Sequence, residues 1–461
     1  MRIFSFAFLL SCVLLTVVPL QAQSVDGVWK SRGYGDVFEI HGPTAKTYQV
    51  TSTTCVSGFT AQRDPATVAG REATFTHDRD EVFFIRVSGK RDHKLLHNEG
   101  SASDVRLDRL PRLPAVCDHP TPDTPAGNFE VFTRTWAENY ILFDQKKVDW
   151  AEAVRTNQSK IRPETTPAEL FDILSGMIEP LHDRHTFIEA PDLHRDFSTF
   201  RPGTDRVIKG AGPDVFRSKI MPALWDITDR NYVKTPLRKW CRDRVQYGHV
   251  NATTGYLRIF AFSRYADKPG FAAGLTALES ALDEIFSDPN LKALIIDVRI
   301  NFGGEDPFGL AIASRLATRS YLAYTKVARV DPVDRNKWSP GDRSEVHPST
   351  RPSFHGPVIE LTGPLTISAG ETFTQALMGR TPHVVRIGEN TQGVFSDVLG
   401  RNCPNGWNFG LPNEVFRTAH GTTFDGAGIP PDIIVPVFAD DDIAAGRDPA
   451  MAKALEMLAQ E

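Results

Sequence analysis

The sequence predicts an α/β protein in which the α/β part follows a β-rich segment and a helical segment. From residue 255 onward, strand-like and helix-like runs alternate, as they do in an α/β domain with a mostly buried sheet. Residues 24–115 contain short β-branched and aromatic runs, and residues 128–180 carry apolar side chains at helical spacing. A length of 461 residues fits two or three domains.

The first 22 residues are typical of a secretory signal peptide. Arg2 supplies the positive start, Ile3 to Leu20 is apolar, and the small residue Ala22 precedes a polar chain. An uncleaved anchor is the alternative, because the apolar run is close to the ~20 residues that span a bilayer. A weak lipoprotein-like motif ends at Cys12, but the apolar run continues past it. We therefore expect an exported, periplasmic or secreted protein with no membrane association beyond the signal peptide.

The segment 24–115 is predicted to be a small β-rich domain. Its clearest strands are Val37–Ile40, Thr47–Val50 and Val82–Val87, which Gly, Asp, Asn and Pro residues separate. A small antiparallel sheet or a barrel would satisfy this pattern, and no chemistry is evident in it. Five prolines between residues 111 and 125 then indicate a linker.

Residues 125–195 are predicted to form a helical subdomain. Four aromatic residues recur at helical spacing, namely Phe129, Phe132, Trp136 and Tyr140. A second helix should begin at Thr166, with Pro167 in its first turn and Glu169 completing a capping box. We interpret these apolar stripes as core rather than as a cofactor site.

Residues 196–440 are predicted to be the α/β core. Its expected strands are Tyr256–Phe262, Leu294–Val298, Val358–Leu361 and Val384–Ile387, and an amphipathic helix should run from Phe271 to Phe286. The stretch 321–355 is rich in Pro, Arg and Asp, which favours a long surface loop. Residues 441–461 should form a C-terminal helix or tail.

Charge and cysteine content exclude some classes of function. The net charge is −5 with no basic block, so nothing indicates a nucleic-acid partner. Signal cleavage would leave four cysteines, which lack a Cys-x-x-Cys pair and therefore do not indicate zinc. Four cysteines allow three pairings, and our hypothesis joins Cys55 to Cys117 and Cys241 to Cys403.

The segment Leu365–Glu371 carries the strongest chemical signal. An apolar strand and the turn Thr362–Pro364 precede it, and a helix-like run from Glu371 to Met378 follows. Ser368 would therefore lie at a helix N-terminus, where free N–H groups and the helix dipole favour negative charge. Such a field would stabilise an alkoxide or an oxyanion. A simple N-cap is the alternative interpretation of this serine.

A nucleophilic serine also needs a base and oxyanion donors. No lysine occurs between Lys337 and Lys453, so histidine is the more probable base in this part of the chain, and His185 is the best candidate. The pair Gly303-Gly304 follows a predicted buried strand and could turn its N–H groups toward a ligand. Asp425 is a candidate for the acid that orients His185. A solvated histidine, a strand-end turn and an Asp-Gly turn are the respective alternatives.

Taken in order, these segments resemble one family of serine peptidases, which includes the tail-specific C-terminal-processing proteases, the tricorn core and retinoid-binding-protein-like members. The resemblance covers roughly residues 130–437. Its motifs are Asp183-x-His185-Thr186, Gly255-Tyr256-Leu257, Ile296 to Arg299 leading to Asn301-x-Gly303-Gly304, Ser368 to Glu371, Gly388 to Gly393, and Gly428 to Asp432.

The resemblance implies a crotonase/Clp-protease-like core and assigns roles to several residues. It implies Ser368 as nucleophile, with Ala369 and Gly303 or Gly304 as oxyanion donors. Val394 stands where the processing branch has its lysine, so a tricorn-like arrangement with His185 as base is implied, and Asp425 occupies the place of that branch's Glu. A peptide or protein substrate and no metal or organic cofactor are expected.

Two other functions remain open at this level. The same scaffold carries non-catalytic binding in retinoid-binding relatives, and a small-molecule esterase would share the serine mechanism. Residues 190–250 are too few for the complete PDZ domain that the family often carries. The sequence does not determine the substrate or the oligomeric state.

Overall fold

The computed structural model of the chain describes residues 24–67, 72–77, 81–87 and 92–460. The predicted signal peptide, residues 1–22, lies outside the described residues. In the part that is described, no helix combines the length and the apolar character needed to cross a membrane.

The β-rich segment is a closed barrel of eight antiparallel strands. The strands are β1 (Gly27–Ser31), β2 (Asp36–His41), β3 (Thr44–Val50), β4 (Cys55–Arg63), β5 (Glu72–His77), β6 (Glu81–Val87), β7 (His93–Asn98) and β8 (Val105–Leu110). Each strand pairs with the next along the chain, and β1 also pairs with β8, which closes the barrel. The side chains of Trp29, Phe38, Phe75 and Ile85 are among those that fill its interior. Of the two predicted arrangements, sheet or barrel, the structure therefore has the barrel.

The segment predicted to be a helical subdomain contains helices and two short strands, the second of which extends past residue 195. Its elements are α1 (Pro125–Asn139), α2 (Phe143–Lys146), α3 (Trp150–Gln158), α4 (Pro167–Ile178), β9 (Phe187–Ala190) and β10 (Arg195–Ser198). Thr166 caps α4 and forms the predicted capping box with Glu169. The predicted aromatic stripe, including Phe132 and Trp136, lies in the buried core of this region. That confirms the interpretation of the stripe as core.

The α/β core contains the remaining elements. They are α5 (Pro202–Ile208), α6 (Pro213–Val215), α7 (Met221–Asn231), β11 (Arg238–Trp240), β12 (Val245–His249), β13 (Thr254–Ile259), α8 (Phe271–Phe286), β14 (Ala293–Asp297), β15 (Ile300–Asn301), α9 (Asp306–Ser314), β16 (Tyr321–Ala328), β17 (Asp342–Val346), β18 (Val358–Thr362), β19 (Leu365–Thr366), α10 (Ala369–Leu377), β20 (Val385–Gly388), β21 (Val398–Asn402), β22 (Asn408–Pro412), β23 (Glu414–Arg417), β24 (Ile433–Ile434), α11 (Asp440–Ala444) and α12 (Pro449–Leu458).

A seven-stranded sheet in the order β11-β12-β13-β14-β18-β20-β24 forms the centre of this core. Its strands from β13 to β24 are parallel. One face packs against α8 and α10, and the other packs against α12 through Met451 and Ala454. Because both faces are covered, β14 is apolar along nearly its whole length instead of alternating.

The stretch 321–355 differs from its prediction as a surface loop. Its first residues form β16, which pairs with β17 and with β23 in a three-stranded sheet. The Pro- and Asp-rich composition belongs to the turn between these strands and to the residues after β17, which include Pro348 and Pro352. The apolar positions of β16, including Ala323, Tyr324 and Val327, are buried.

The two predicted disulfides have different outcomes. Cys55 and Cys117 are joined, with Cα atoms 5.1 Å apart. The predicted pairing of Cys241 with Cys403 is wrong, since both thiols are free and buried. Cys241 lies in the core of the central sheet, whereas Cys403 lies in the core of the helical subdomain. The even number of cysteines was therefore misleading, because two of them serve as small apolar core residues.

Candidate active site

Ser368 lies at a sharp turn between β19 and α10, as predicted. It is the N-cap residue of α10, and its backbone dihedrals are φ 57° and ψ −121°, a conformation that non-glycine residues rarely adopt. Every other residue from Leu361 to Leu377 is buried, whereas Ser368 is partly exposed. The fold therefore holds one serine in a strained conformation at the surface of an otherwise buried segment.

The glycine pair lies directly against this serine. β15 and β19 are parallel partners, and the N–H of Ile367 donates to the carbonyl of Asn301 at 2.9 Å. Two residues after β15, the chain turns at Gly303, which has a positive φ of 73°. A Cβ atom at Gly303 would come within 2.6 Å of the Ser368 Cβ, so only glycine allows this close approach.

The backbone N–H groups around Ser368 are not equally available. The N–H of Gly303 donates to Asn301 Oδ1 at 2.9 Å and is therefore occupied. The N–H groups of Gly304 and Ala369 have no hydrogen-bond partner in the described part of the chain, and Gly304 is exposed. Of the predicted oxyanion donors, Gly304 and Ala369 are thus free, and Gly303 supplies the close approach.

Glu371 is a buried residue of this site whose role the sequence analysis missed. Its carboxylate accepts hydrogen bonds from the Thr391 hydroxyl at 2.6 Å and from the N–H groups of Gly393, Val394 and Ser368 at 2.6, 2.8 and 3.3 Å. Burial raises the pKa of Glu371 to about 7, although these donors favour its charged form. The Ser-x-x-Glu spacing of a capping box was the available signal.

The His185 loop is built around a buried aspartate. Asp183 Oδ1 accepts the N–H of His185 at 2.9 Å, and its Oδ2 accepts the Tyr140 hydroxyl at 3.2 Å. The carbonyl of Asp183 accepts both the N–H and the hydroxyl of Thr186. The Asp-x-His-Thr motif therefore has a structural meaning, because Asp and Thr fix the turn that presents the histidine.

The imidazole of His185 lies in a largely desolvated position. Burial lowers the pKa of His185, while the nearby carboxylates of Asp183 and Asp397 and the backbone of Ser396 act in the opposite direction. Its Nδ1 atom is buried and forms no hydrogen bond with the residues that the structure describes. A neutral imidazole is the form that can accept a proton. No hydrogen bond between His185 and Ser368 is present among the described residues.

Asp425 is buried, but the structure does not join it to His185. Its carboxylate accepts the N–H groups of Phe395 and Phe416, both at 3.2 Å, and the Thr423 hydroxyl at 3.0 Å. Burial raises the pKa of Asp425 to about 7, and the charge of Glu371 acts in the same direction. Asp425 therefore supports the segment next to Ser396, whose backbone lies beside the imidazole.

Lys326 is a buried lysine that the sequence analysis did not consider as a base. Its Nζ atom contacts Asp397 at 2.8 Å and Glu414 at 3.1 Å. These acids hold the pKa of Lys326 well above its ordinary value, despite its burial. A lysine that stays protonated cannot accept a proton from serine. The described residues include no group of three or more His, Cys, Asp or Glu side chains arranged to hold a metal ion.

Known structures resemble this fold. A candidate peptidase from Parabacteroides merdae ATCC 43184 is 26% identical, with a TM-score of 0.60 over 73% of this chain and 97% of its own. Mature CPAF in complex with lactacystin is 14% identical, with a TM-score of 0.52 over 73% of this chain and 97% of its own. The second similarity concerns the fold alone. No curated protein matches this chain significantly.

A serine on a strained strand-to-helix turn beside two free N–H groups defines the class of serine-type hydrolases. Residues 253–435 match the model of peptidase family S41, and this segment includes the glycine pair, Ser368, Glu371 and Asp425. This match supports family S41 for the core of the chain, and the protein is a serine-type peptidase.

Proposed function

We propose that this protein is an exported peptidase that cleaves peptide bonds by acyl transfer, with Ser368 as nucleophile and His185 as general base. The observation that carries the proposal is the position of Ser368, partly exposed and strained, beside the free N–H groups of Gly304 and Ala369. The α/β core is proposed to be of the crotonase/Clp-protease type. Export rests on the signal-like sequence of residues 1–22.

The reaction follows from these groups. The Oγ atom of Ser368 attacks the carbonyl carbon of the peptide bond as its proton passes to His185. The N–H groups of Gly304 and Ala369 donate to the oxyanion, and the N-terminal end of α10 adds a favourable field. The C–N bond then breaks, and His185 returns the proton to the leaving amine. A water molecule cleaves the acyl ester by the same steps and restores Ser368.

His185 must approach Ser368 for this proton transfer. Catalytic hydrogen bonds often shorten only when a substrate is bound, so their absence in the free protein is compatible with the role. Asp425 is proposed to act as a positioning residue rather than as a direct partner of the imidazole. It would hold Phe395, and through it the backbone of Ser396 beside His185.

A fluorophosphonate probe tests the nucleophile directly, because it reacts covalently with activated serines. We expect the mature protein to be labelled, and the variants Ser368→Ala and His185→Ala to remain unlabelled while they stay folded. Peptide mapping should locate the label on Ser368. Labelling of the Ser368→Ala variant would contradict the proposed nucleophile. A folded but unlabelled wild-type protein would favour a non-catalytic binding role.

A further inference from the structure

The N-terminal barrel and the peptidase core enclose two adjoining cavities. The first cavity, of about 760 Å³, extends from the barrel to Glu305 and Phe308 of the core. The second cavity, of about 280 Å³, extends from the barrel to Asp397 and β21. Three barrel residues line both cavities, namely Phe59, Phe83 and Asn98. The barrel therefore forms the common wall of a cleft along the core.

Each cavity is lined by one residue that directly follows a residue of the proposed active site. Glu305, in the first cavity, directly follows Gly304, whose N–H is free. Asp397, in the second cavity, directly follows Ser396, whose backbone lies beside the imidazole of His185. The cleft therefore borders two core segments that continue into the oxyanion turn and into Ser396.

β21 presents an incompletely covered edge to the second cavity. It is the outermost strand of the sheet β10-β9-β22-β21. Its second half is covered by the barrel, because the N–H of Asn402 donates to Gln49 Oε1 at 2.8 Å and Arg401 pairs with Asp36 at 3.1 Å. Barrel side chains therefore occupy the outer edge of β21 in its second half, where a neighbouring strand would otherwise pair.

Among the described residues, no barrel side chain pairs with the first half of β21, although the Gly400 carbonyl accepts a hydrogen bond from Arg401 Nη1 at 2.8 Å. The N–H of Asn402 points away from β22, so strand alternation directs the N–H groups of Gly400 and Val398 the same way. Val398 and Gly400 both line the second cavity, and the Val398 side chain is 40% exposed. A Cβ atom built on Gly400 would meet no atom within 4 Å. Val398 and Gly400 are therefore exposed to the second cavity, and the face of the strand at Gly400 is open.

We infer that an extended segment of the polypeptide substrate binds in the second cavity as an additional strand on Val398–Gly400, with the barrel as its outer wall. The inference rests on the proposed function and assigns substrate recognition to a domain outside the family match, which begins at residue 253. Recognition by main-chain hydrogen bonds requires an unfolded segment and tolerates many sequences. Phe59, 37% exposed where the cavities meet, contributes an apolar contact for a substrate side chain.

Gly400 offers a matched pair of variants that tests this inference. In a Ser368→Ala background, which prevents cleavage, we would titrate fluorescent unfolded β-casein and measure binding by anisotropy. Gly400→Trp fills the second cavity and should weaken binding by about tenfold or more, the equivalent of one or two lost hydrogen bonds. Gly400→Ala should bind as the parent does. Equal binding by all three proteins, or no binding by the parent, would overturn the inference.

A second pair of variants keeps the test decisive if Gly400→Trp fails to fold. Phe59→Ala removes the apolar contact and should weaken casein binding, whereas Phe84→Ala, on a barrel residue that lines neither cavity, should not. Equal effects of the two substitutions would overturn the role of the barrel wall. When Ser368 is retained, all four variants should react with the fluorophosphonate as the wild type does. If the wild type itself is not labelled, the proposed function is refuted instead.

Discussion

The turn that carries Ser368 is formed by a contiguous strand and helix, whereas the ring of His185 meets a segment that is distant in sequence. Ser368 follows β19, begins α10 and donates its N–H to Glu371 within the same turn of helix. His185 lies on a loop fixed by Tyr140 and Asp183, and its ring meets the backbone of Ser396, more than 200 residues away in the chain. The strained turn of the nucleophile thus arises within one contiguous segment, although Asn301 and Gly303 pack against it, whereas the ring of the base meets a segment far away in the chain.

The largest expected effect concerns the local strain at Ser368. Both Ser368→Ala and Ser368→Gly should abolish fluorophosphonate labelling, because losing the nucleophile typically costs about 10⁴-fold or more. Their stabilities should differ, since glycine accepts φ 57° and ψ −121° without the ~1–3 kcal/mol of strain that other residues pay. The greater entropy of glycine in the unfolded chain offsets part of this gain. The free energy of unfolding of the Gly variant should therefore exceed that of the Ala variant by about 1 kcal/mol. Urea denaturation measures the difference, and equal stabilities would contradict the strain.

The second prediction concerns the base, which depends on long-range packing. Burial lowers the pKa of His185, so the imidazole stays neutral to a lower pH than an ordinary histidine. The rate of fluorophosphonate labelling should therefore rise with pH and reach half of its plateau below about pH 6.5, the ordinary histidine value. Stopped-time labelling between pH 4.5 and 8.5 measures this limb. A midpoint clearly above 6.5 would exclude a buried histidine as the group that titrates.

The third prediction concerns Glu371, whose carboxylate supports the turn that carries Ser368. Glu371→Gln places an amide opposite N–H donors and leaves at least two of them unsatisfied, which should destabilise the fold by about 2–4 kcal/mol. Labelling should also fall, because the Ser368 N–H loses its partner.

Glu360→Gln is the matched control. Glu360 is also buried, with a pKa raised to about 7, but it accepts only the Thr374 hydroxyl and has one unpartnered oxygen. Similar losses in both variants would show that burial, not the hydrogen-bond pattern, determines the effect.

This contrast explains which parts of the molecule the sequence could predict. The position of Ser368 at a helix start follows from a contiguous strand, turn and helix, and the capping box of α4 is equally local. Whether a cysteine is paired or free, and which groups Asp425 contacts, depend on which distant segments of the chain lie next to each other. Spacing carries little information about such contacts, so the free Cys241 and Cys403 and the binding of Asp425 to Phe395 were not foreseen.

β16 shows a different reason for failure. Its strand is apolar and β-branched enough to be predicted, but the polar turn that follows dominated the composition of the window 321–355. The barrel shows the converse, because short β-branched and aromatic runs predicted β structure but did not decide between a sheet and a closed barrel. Closure depends on the pairing of β1 with β8, which are separated by about 80 residues of chain.

The smallest expected effect concerns Asp425 and tests whether the acid serves the base directly. Asp425→Asn retains one acceptor oxygen and should cost about 1–2 kcal/mol, because one backbone N–H loses its partner. Its pKa in the folded protein, about 7, lies above the ordinary value near 4, so the wild-type carboxyl stabilises the fold below about pH 4, and this contribution is lost as pH rises toward 7. The stability difference between wild type and variant should therefore be larger at pH 5 than at pH 8 in parallel urea titrations.

If Asp425 only positions the Phe395–Ser396 segment, the acid limb of labelling should keep its midpoint in the variant. A limb whose midpoint moves would instead mean that Asp425 influences His185 directly, and the two loops would then be coupled by more than packing.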